Sequence, residues 1–302
     1  MTRRTRRDLL RGLAVPAGVA VGAVAARKLR SSPSGTGPGS DFEPVVDGFG
    51  FDNYATPLTA VDPSEFVSES DVRTFLTAGQ NEIARTGPPL STTDVSELLG
   101  GAFVSTLYAN AEKLFGTKGN CYGIAGAAQW YAEVPDAVPI DHASVSEITH
   151  VNEPLEDEDT APVRNDIERL HRSQFLDADS WAARWPLLDP RWIDYREQAR
   201  ELRVALDTHG TAGVTLTGED VLQGHYVLLY DYEATETAVT FAVYDPNDTA
   251  DEYETEGRPR TLGIDTTSGE PLLGSYRGTY DRFLYNPNER AVRAQARPDR
   301  DG

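Results

Sequence analysis

Near Gly210 the spacing of the apolar residues changes period, and that change limits what the chain can fold into. Upstream, Val95, Leu98 and Leu99, then Val104, Leu107 and Tyr108, recur every three or four residues, as on one face of a helix. Downstream, TAGVTLTG (211–218), HYVLLYDYE (225–233), AVTFAVYD (238–245) and GTYDRFLY (278–285) alternate apolar with polar residues, as strands with one covered face do. Helices therefore come first and an antiparallel sheet second, which is an α+β order. The helical spans are 71–85, 91–114, 121 to about 134, 163–175 and 190–209. The last has Asp189 as N-cap, Pro190 in the first position and Gly210 at its end. An acidic loop, EPLEDEDTAP (153–162), separates two of them. With no internal repeat and no second linker, residues 45–286 read as one domain, followed by a charged tail over 287–302.

The N-terminus is of a different kind. MTRRTRRDLLRGL carries the pair Arg6-Arg7 followed by Asp8, Leu9 and Leu10, and then a mild apolar stretch from Leu13 to Ala26. This pattern reads as a twin-arginine export signal over residues 1–26, with the twin-arginine export machinery as partner and an extracellular or cell-surface destination. The apolar stretch has 14 residues, mostly Ala, Gly and Val, against the roughly 20 that a membrane span needs, so no stable membrane span is expected. Ala23-Val24-Ala25 is a small-residue cleavage site. Residues 27–44 read as a flexible linker, rich in Ser, Gly and Pro.

The formal charge is −20, and removal of residues 1–26, with five Arg against one Asp, takes it to −24. Nucleic acid is excluded as a partner by this sign. Aromatic residues at 9% and periodic apolar segments place the charge on the surface of a packed domain instead of in a disordered chain. Only Lys28, Lys113 and Lys118 are lysines, an Asp- and Glu-rich, Lys-poor balance that resembles proteins of haloarchaea and implies a halophilic surface.

The chain holds one cysteine, so no intramolecular disulfide forms, and an unpaired thiol in an exported protein is either a buried filler or a reactive group. Cys121 lies in GTKGNCYGIAGAAQWYAE, where a glycine-bearing turn runs into a helix and sets the sulfur in the first turn. Free N–H groups and the helix dipole there favour thiolate. His225 opens one strand and Asp245 closes the next across the polar loop EATET, and a turn centred on residue 235 sets the two directly opposite. The same register lays Val227 and Leu229 against Val243 and Phe241. A carboxylate so placed fixes the tautomer of an imidazole. The other four histidines, His142, His150, His171 and His209, have no comparable partner and are expected at the surface.

In these motifs, GNCYGIAGAAQWYAE, GHYVLLYDYE and VYDPND in the order Cys, His, Asp, the chain resembles the papain-like cysteine peptidase superfamily, in the branch similar to bacteriocin-processing peptidases. The resemblance spans about 110–250. It implies a papain-like fold with the cysteine at the start of a central helix and the other two residues on neighbouring strands. It further implies a peptide or amide substrate and a triad of Cys121 as nucleophile, His225 as base and Asp245 as its orienter, with no cofactor and no metal. Many members carry Gln six residues before the cysteine as oxyanion donor; here that position is Phe115. The backbone N–H of Cys121, with the Asn120 side chain beside it, is the substitute.

Two other readings share these residues: a catalytically silent papain-like binding module, which the missing Gln permits, and a transglutaminase-like acyl transferase. The 104 residues between Cys121 and His225 are too long for the latter family. DPNDTADEYE begins like a calcium loop, but Ala250 stands where the sharp turn needs Gly and Pro246 stiffens its start.

Overall fold

The computed structural model describes residues 41–54, 119–157, 160–176, 185–188, 190–218, 224–257, 260–288 and 292. The export signal, its cleavage site, the linker up to residue 40, the helices expected at 71–85 and 91–114, Phe115 and Asp189 lie outside the described residues.

The elements are a short helix α1 (Pro44–Asp47), α2 (Cys121–Glu133), α3 (Pro162–Leu176), α4 (Tyr195–His209), β1 (Ala212–Thr217), β2 (His225–Ala234), β3 (Ala238–Tyr244), α5 (Ala250–Glu256), β4 (Arg260–Asp265), β5 (Glu270–Leu272) and β6 (Arg282–Tyr285). The strands form one six-stranded sheet in the order β5-β4-β3-β2-β1-β6, antiparallel at every pairing. The fold is α+β, as the change of period at Gly210 implies.

Alternation along the strands gives the sheet two covered faces. Val214, Leu216, Val227, Leu229, Phe241 and Val243 face one core, completed by Leu202, Ala205 and Leu206 of α4. Tyr226, Leu228 and Tyr244 face the other, completed by α2, α3 and Phe49. Helix α2 is the centre of this second layer: 11 of its 13 residues are buried, and CYGIAGAAQWYAE carries no charge before Glu133. A helix apolar on all sides has to be enclosed on all sides. Gly123 lets α3 approach, since a Cβ there would lie 2.1 Å from the carbonyl oxygen of Ile167. Beyond β6 the chain returns to α2, where Asn288 Nδ2 donates to Gln129 Oε1 at 2.8 Å and Val292 is buried against Gly126.

Three details depart from expectation. The helix expected at 190–209 is interrupted: Pro190–Trp192 is a 3₁₀ turn and α4 starts at Tyr195, because Asp194 accepts from the N–H groups of Arg196 and Glu197 and so caps it. Gly210 ends it in the left-handed conformation. The β2–β3 register is also shifted. Leu228 pairs with Tyr244 and Leu229 with Val243, Tyr230 is the extra residue of a bulge, and Tyr232 then pairs with Phe241. Continued to the strand start, that ladder puts His225 across from residue 247 instead of 245. A shift of two keeps both apolar sets on one face, which is why the alternation fits either register. Finally, α5, β4 and β5 lie where no element was expected.

Candidate active site

All the strand ends that matter here meet at one end of the sheet: the finish of β1, the start of β2, the finish of β3 and the starts of β4 and β6. Helix α2 points its N-terminus at the same end. Its first residue, Cys121, is partly buried and receives the backbone N–H of Tyr226 at 3.4 Å from Sγ. Tyr226 is the residue after His225, so the start of β2 brings both an imidazole and a peptide donor to the sulfur.

His225 and Asp245 are buried, and Nε2 of the ring lies 2.7 Å from Asp245 Oδ1. The carboxylate reaches the ring although it is not the opposite residue of the ladder, because Asp245 is the first residue beyond β3 and the chain turns there. With Nε2 engaged by Asp245, Nδ1 is the ring nitrogen left to face the sulfur, and the charge of each group shifts the pKa of the other.

Asp245 has further donors. Asn247 N–H reaches Oδ1 at 2.9 Å and the Tyr276 hydroxyl reaches Oδ2 at 2.8 Å. Tyr253 of α5 accepts the backbone N–H of Asp245 at 2.6 Å and donates to the Val243 carbonyl, which fixes where β3 ends. Helix α5 is in turn held by a capping box of Thr249 and Glu252. Arg260, at the start of β4, forms an ion pair with Asp248 and stands 3.9 Å from Asp245 Oδ2.

These contacts set the charges. Burial alone would raise the Cys121 pKa, but the hydrogen bond and charge of His225, with the N–H groups of Tyr226 and Tyr122, more than offset it and hold the thiol below its ordinary value. Burial would depress His225, yet its bonds to Asp245 and Cys121 raise it to about 10. Asp245 is likewise held below the ordinary carboxyl range, burial being outweighed by His225, Asn247 and Tyr276. Each shift favours a thiolate beside an imidazolium.

The turn before the helix is fixed by the N-terminal segment. Asn120 gives both its backbone N–H and its side-chain Nδ2 to the Tyr54 carbonyl, at 2.8 and 3.0 Å. Its amide is thus turned to Tyr54. Asn53 lies flat against Gly119, where a Cβ would fall 2.2 to 2.5 Å from the three amide atoms, and donates to Asn247 Oδ1 at 3.0 Å. Asn247 in turn stands 3.3 Å from His225 Nε2.

Of the other histidines, His142 sits 2.7 Å from Glu153 and His171, expected at the surface, is buried on α3 beside Gln174. Among the described residues no group of three His, Cys, Asp or Glu side chains is placed to hold a metal ion. None of their helices is long and apolar enough to cross a membrane.

Sequence reasoning missed Tyr226, Tyr253, Tyr276, Tyr280, Arg260 and Asn53. One of these had a signal, since Thr249-x-x-Glu252 announces the helix that carries Tyr253. Compared with known proteins, the chain matches no family model, no curated protein and no solved structure.

Proposed function

We propose that this chain is an exported thiol hydrolase, a cysteine peptidase or amidase of papain-like type, acting through Cys121, His225 and Asp245. What supports the reading is convergence: residues from the start of a buried helix and from two strand ends, 104 and 20 positions apart, come together, with the imidazole bonded to the carboxylate, the peptide N–H after it bonded to the sulfur, and sulfur and imidazole near enough to shift each other's charge state. The papain-like architecture rests on the same pattern, a cysteine-headed helix packed on an antiparallel sheet that supplies the other two groups.

In this reaction the Cys121 thiolate attacks the acyl carbon of a peptide or amide, a C–S bond forms, and the carbonyl π electrons move to oxygen. His225 then gives its proton to the leaving nitrogen, and the C–N bond breaks to leave a thioester. A water molecule, deprotonated by His225, attacks that thioester, releases the acid and returns the thiolate. Asp245 stays ionised throughout and holds the ring.

The test is labelling of the purified protein with iodoacetamide, with the modified residue mapped, alongside hydrolysis assays of the wild type and Cys121→Ala. Rapid modification of Cys121 and loss of hydrolysis in the variant are expected; unchanged turnover in Cys121→Ala sinks the reading. Export through the twin-arginine route is part of the proposal. It rests on Arg6-Arg7 and the short apolar stretch after them. Replacing the pair by Lys-Lys should leave precursor in the cytoplasm, and normal amounts outside the cell would disprove the route.

A further inference from the structure

We propose that the Tyr280 hydroxyl is the side-chain donor to the oxyanion at this site, the role for which the sequence offers no Gln at position 115. The proposal rests on the thiol-hydrolase reading above. The Tyr280 ring lies nearly parallel to the His225 imidazole, at 16° and 6.1 Å between centroids, and is half-buried. Its place is fixed from both sides. Tyr280 N–H donates to the Tyr276 carbonyl at 3.0 Å, and Asp281 N–H donates to the Thr217 carbonyl at 3.1 Å, so the segment is laced to the end of β1 beside the start of β2. One turn thus carries Tyr276 to the carboxylate and Tyr280 to the imidazole.

The two tyrosines differ in what their hydroxyls do. That of Tyr276 is spent on Asp245 at 2.8 Å. That of Tyr280 has no hydrogen-bond acceptor among the described residues, so the phenol beside the imidazole keeps a free proton to give. Burial, then the charges of Cys121 and Asp245, push its pKa to about 12, which places the ring within the field of the sulfur and keeps the hydroxyl protonated at neutral pH. A neutral O–H within the field of a thiolate adds no negative charge to the resting site and is ready when negative charge moves to the acyl oxygen. The other candidate amide, Asn120, gives its Nδ2 to Tyr54.

Two probes separate this role from a structural one. p-Nitrophenyl acetate acylates Cys121 through a tetrahedral oxyanion and releases p-nitrophenolate; iodoacetamide alkylates the same sulfur by displacement of iodide, with no oxyanion. Tyr280→Phe keeps the ring and removes only the hydroxyl. Its acylation rate should fall about 100-fold, in the range for loss of one oxyanion donor, while its alkylation rate stays within about twofold of wild type. Acylation by Tyr280→Phe at the wild-type rate overturns the assignment, as does an equal loss in both reactions, which would make Tyr280 a support for His225 only. Wild-type release of p-nitrophenolate no faster than that of Cys121→Ala would overturn the thiol-hydrolase reading itself, and this assignment with it.

Discussion

Tyr276 gives its hydroxyl to Asp245 across 31 positions of sequence, at 2.8 Å, on the carboxylate oxygen that His225 leaves free. Burial makes that bond matter, because a buried carboxylate without enough donors takes up a proton. Tyr276→Phe should therefore raise the Asp245 pKa and weaken its hold on the imidazole. The sign follows from the depressed native value: the stabilisation from Asp245 is present above its ordinary pKa and is lost as pH falls through the native one. The variant should be less stable by about 1.5 to 3 kcal/mol at pH 7 and the difference should shrink on acidification. Urea unfolding followed from pH 7 down through the acid transition measures both; a loss that stays equal at every pH would show that only packing was disturbed.

The pair formed by Cys121 and His225 has a pH signature of its own. The sulfur is held below its ordinary pKa and the imidazole is raised to about 10, so thiolate and imidazolium coexist between those limits. Iodoacetamide should modify Cys121 along a curve that rises at a pH below the ordinary thiol value of about 8.5. His225→Ala removes the largest of the lowering causes, and the inflection should move upward. A wild-type inflection at or above 8.5, unmoved in His225→Ala, would mean that the two groups do not share their charges.

How far the sequence disclosed this arrangement depended on whether a residue acts through its own strand or helix. Cys121 and His225 stand at the first positions of regular elements, so period and turn chemistry locate them, and both apolar sets of the hairpin follow from alternation. Asp245 was found by a register that is off by two. The error was invisible because period two is unchanged by such a shift, and the bulge at Tyr230 has no marker in HYVLLYDYE. Tyr276 and Tyr280 were beyond reach for another reason: they come to the site from the turn before β6, which is brought there by pairing with β1, the neighbour of β2. That adjacency is a property of the sheet order, which no local pattern contains.

Gly119 offers a test of the N-terminal segment. The Asn53 amide occupies the space a side chain would need, so Gly119→Ala has to displace that amide from the turn that leads into α2. Asn247 would then lose its bond from Asn53, and the Tyr54 carbonyl next to Asn53 would hold Asn120 less firmly. The variant should be destabilised by about 1 to 3 kcal/mol, as for overpacking, with a larger proportional loss of hydrolysis than of stability because the helix start carries the sulfur. Hydrolysis and thermal midpoint both within error of wild type would show that residues 53 and 54 merely lie against the turn.

The acidic surface predicts an unusual response to salt. A formal charge of −20, or −24 once residues 1–26 are removed, with three lysines in the whole chain, sets carboxylate against carboxylate over much of the domain. Exposed like charges separated by a Debye length or more are screened, and that length falls from about 10 Å at 0.1 M salt to about 3 Å at 1 M. Stability should therefore climb with KCl. The pH dependence has two parts of opposite sign. Protonation of repelling surface carboxylates relieves the strain at low salt, whereas Asp245, whose pKa is depressed, loses its contribution only at more acid pH. Mild acidification to pH 5 in dilute buffer should thus recover part of what low salt costs, because it reaches the surface groups before it reaches the buried one. Thermal unfolding from 0.1 to 3 M KCl at pH 7, repeated at pH 5 in the lowest salt, measures both effects. A midpoint flat in salt would show that the surface charges are too far apart to repel, and a midpoint that falls at pH 5 would show that carboxylates engaged in native bonds outweigh those that repel.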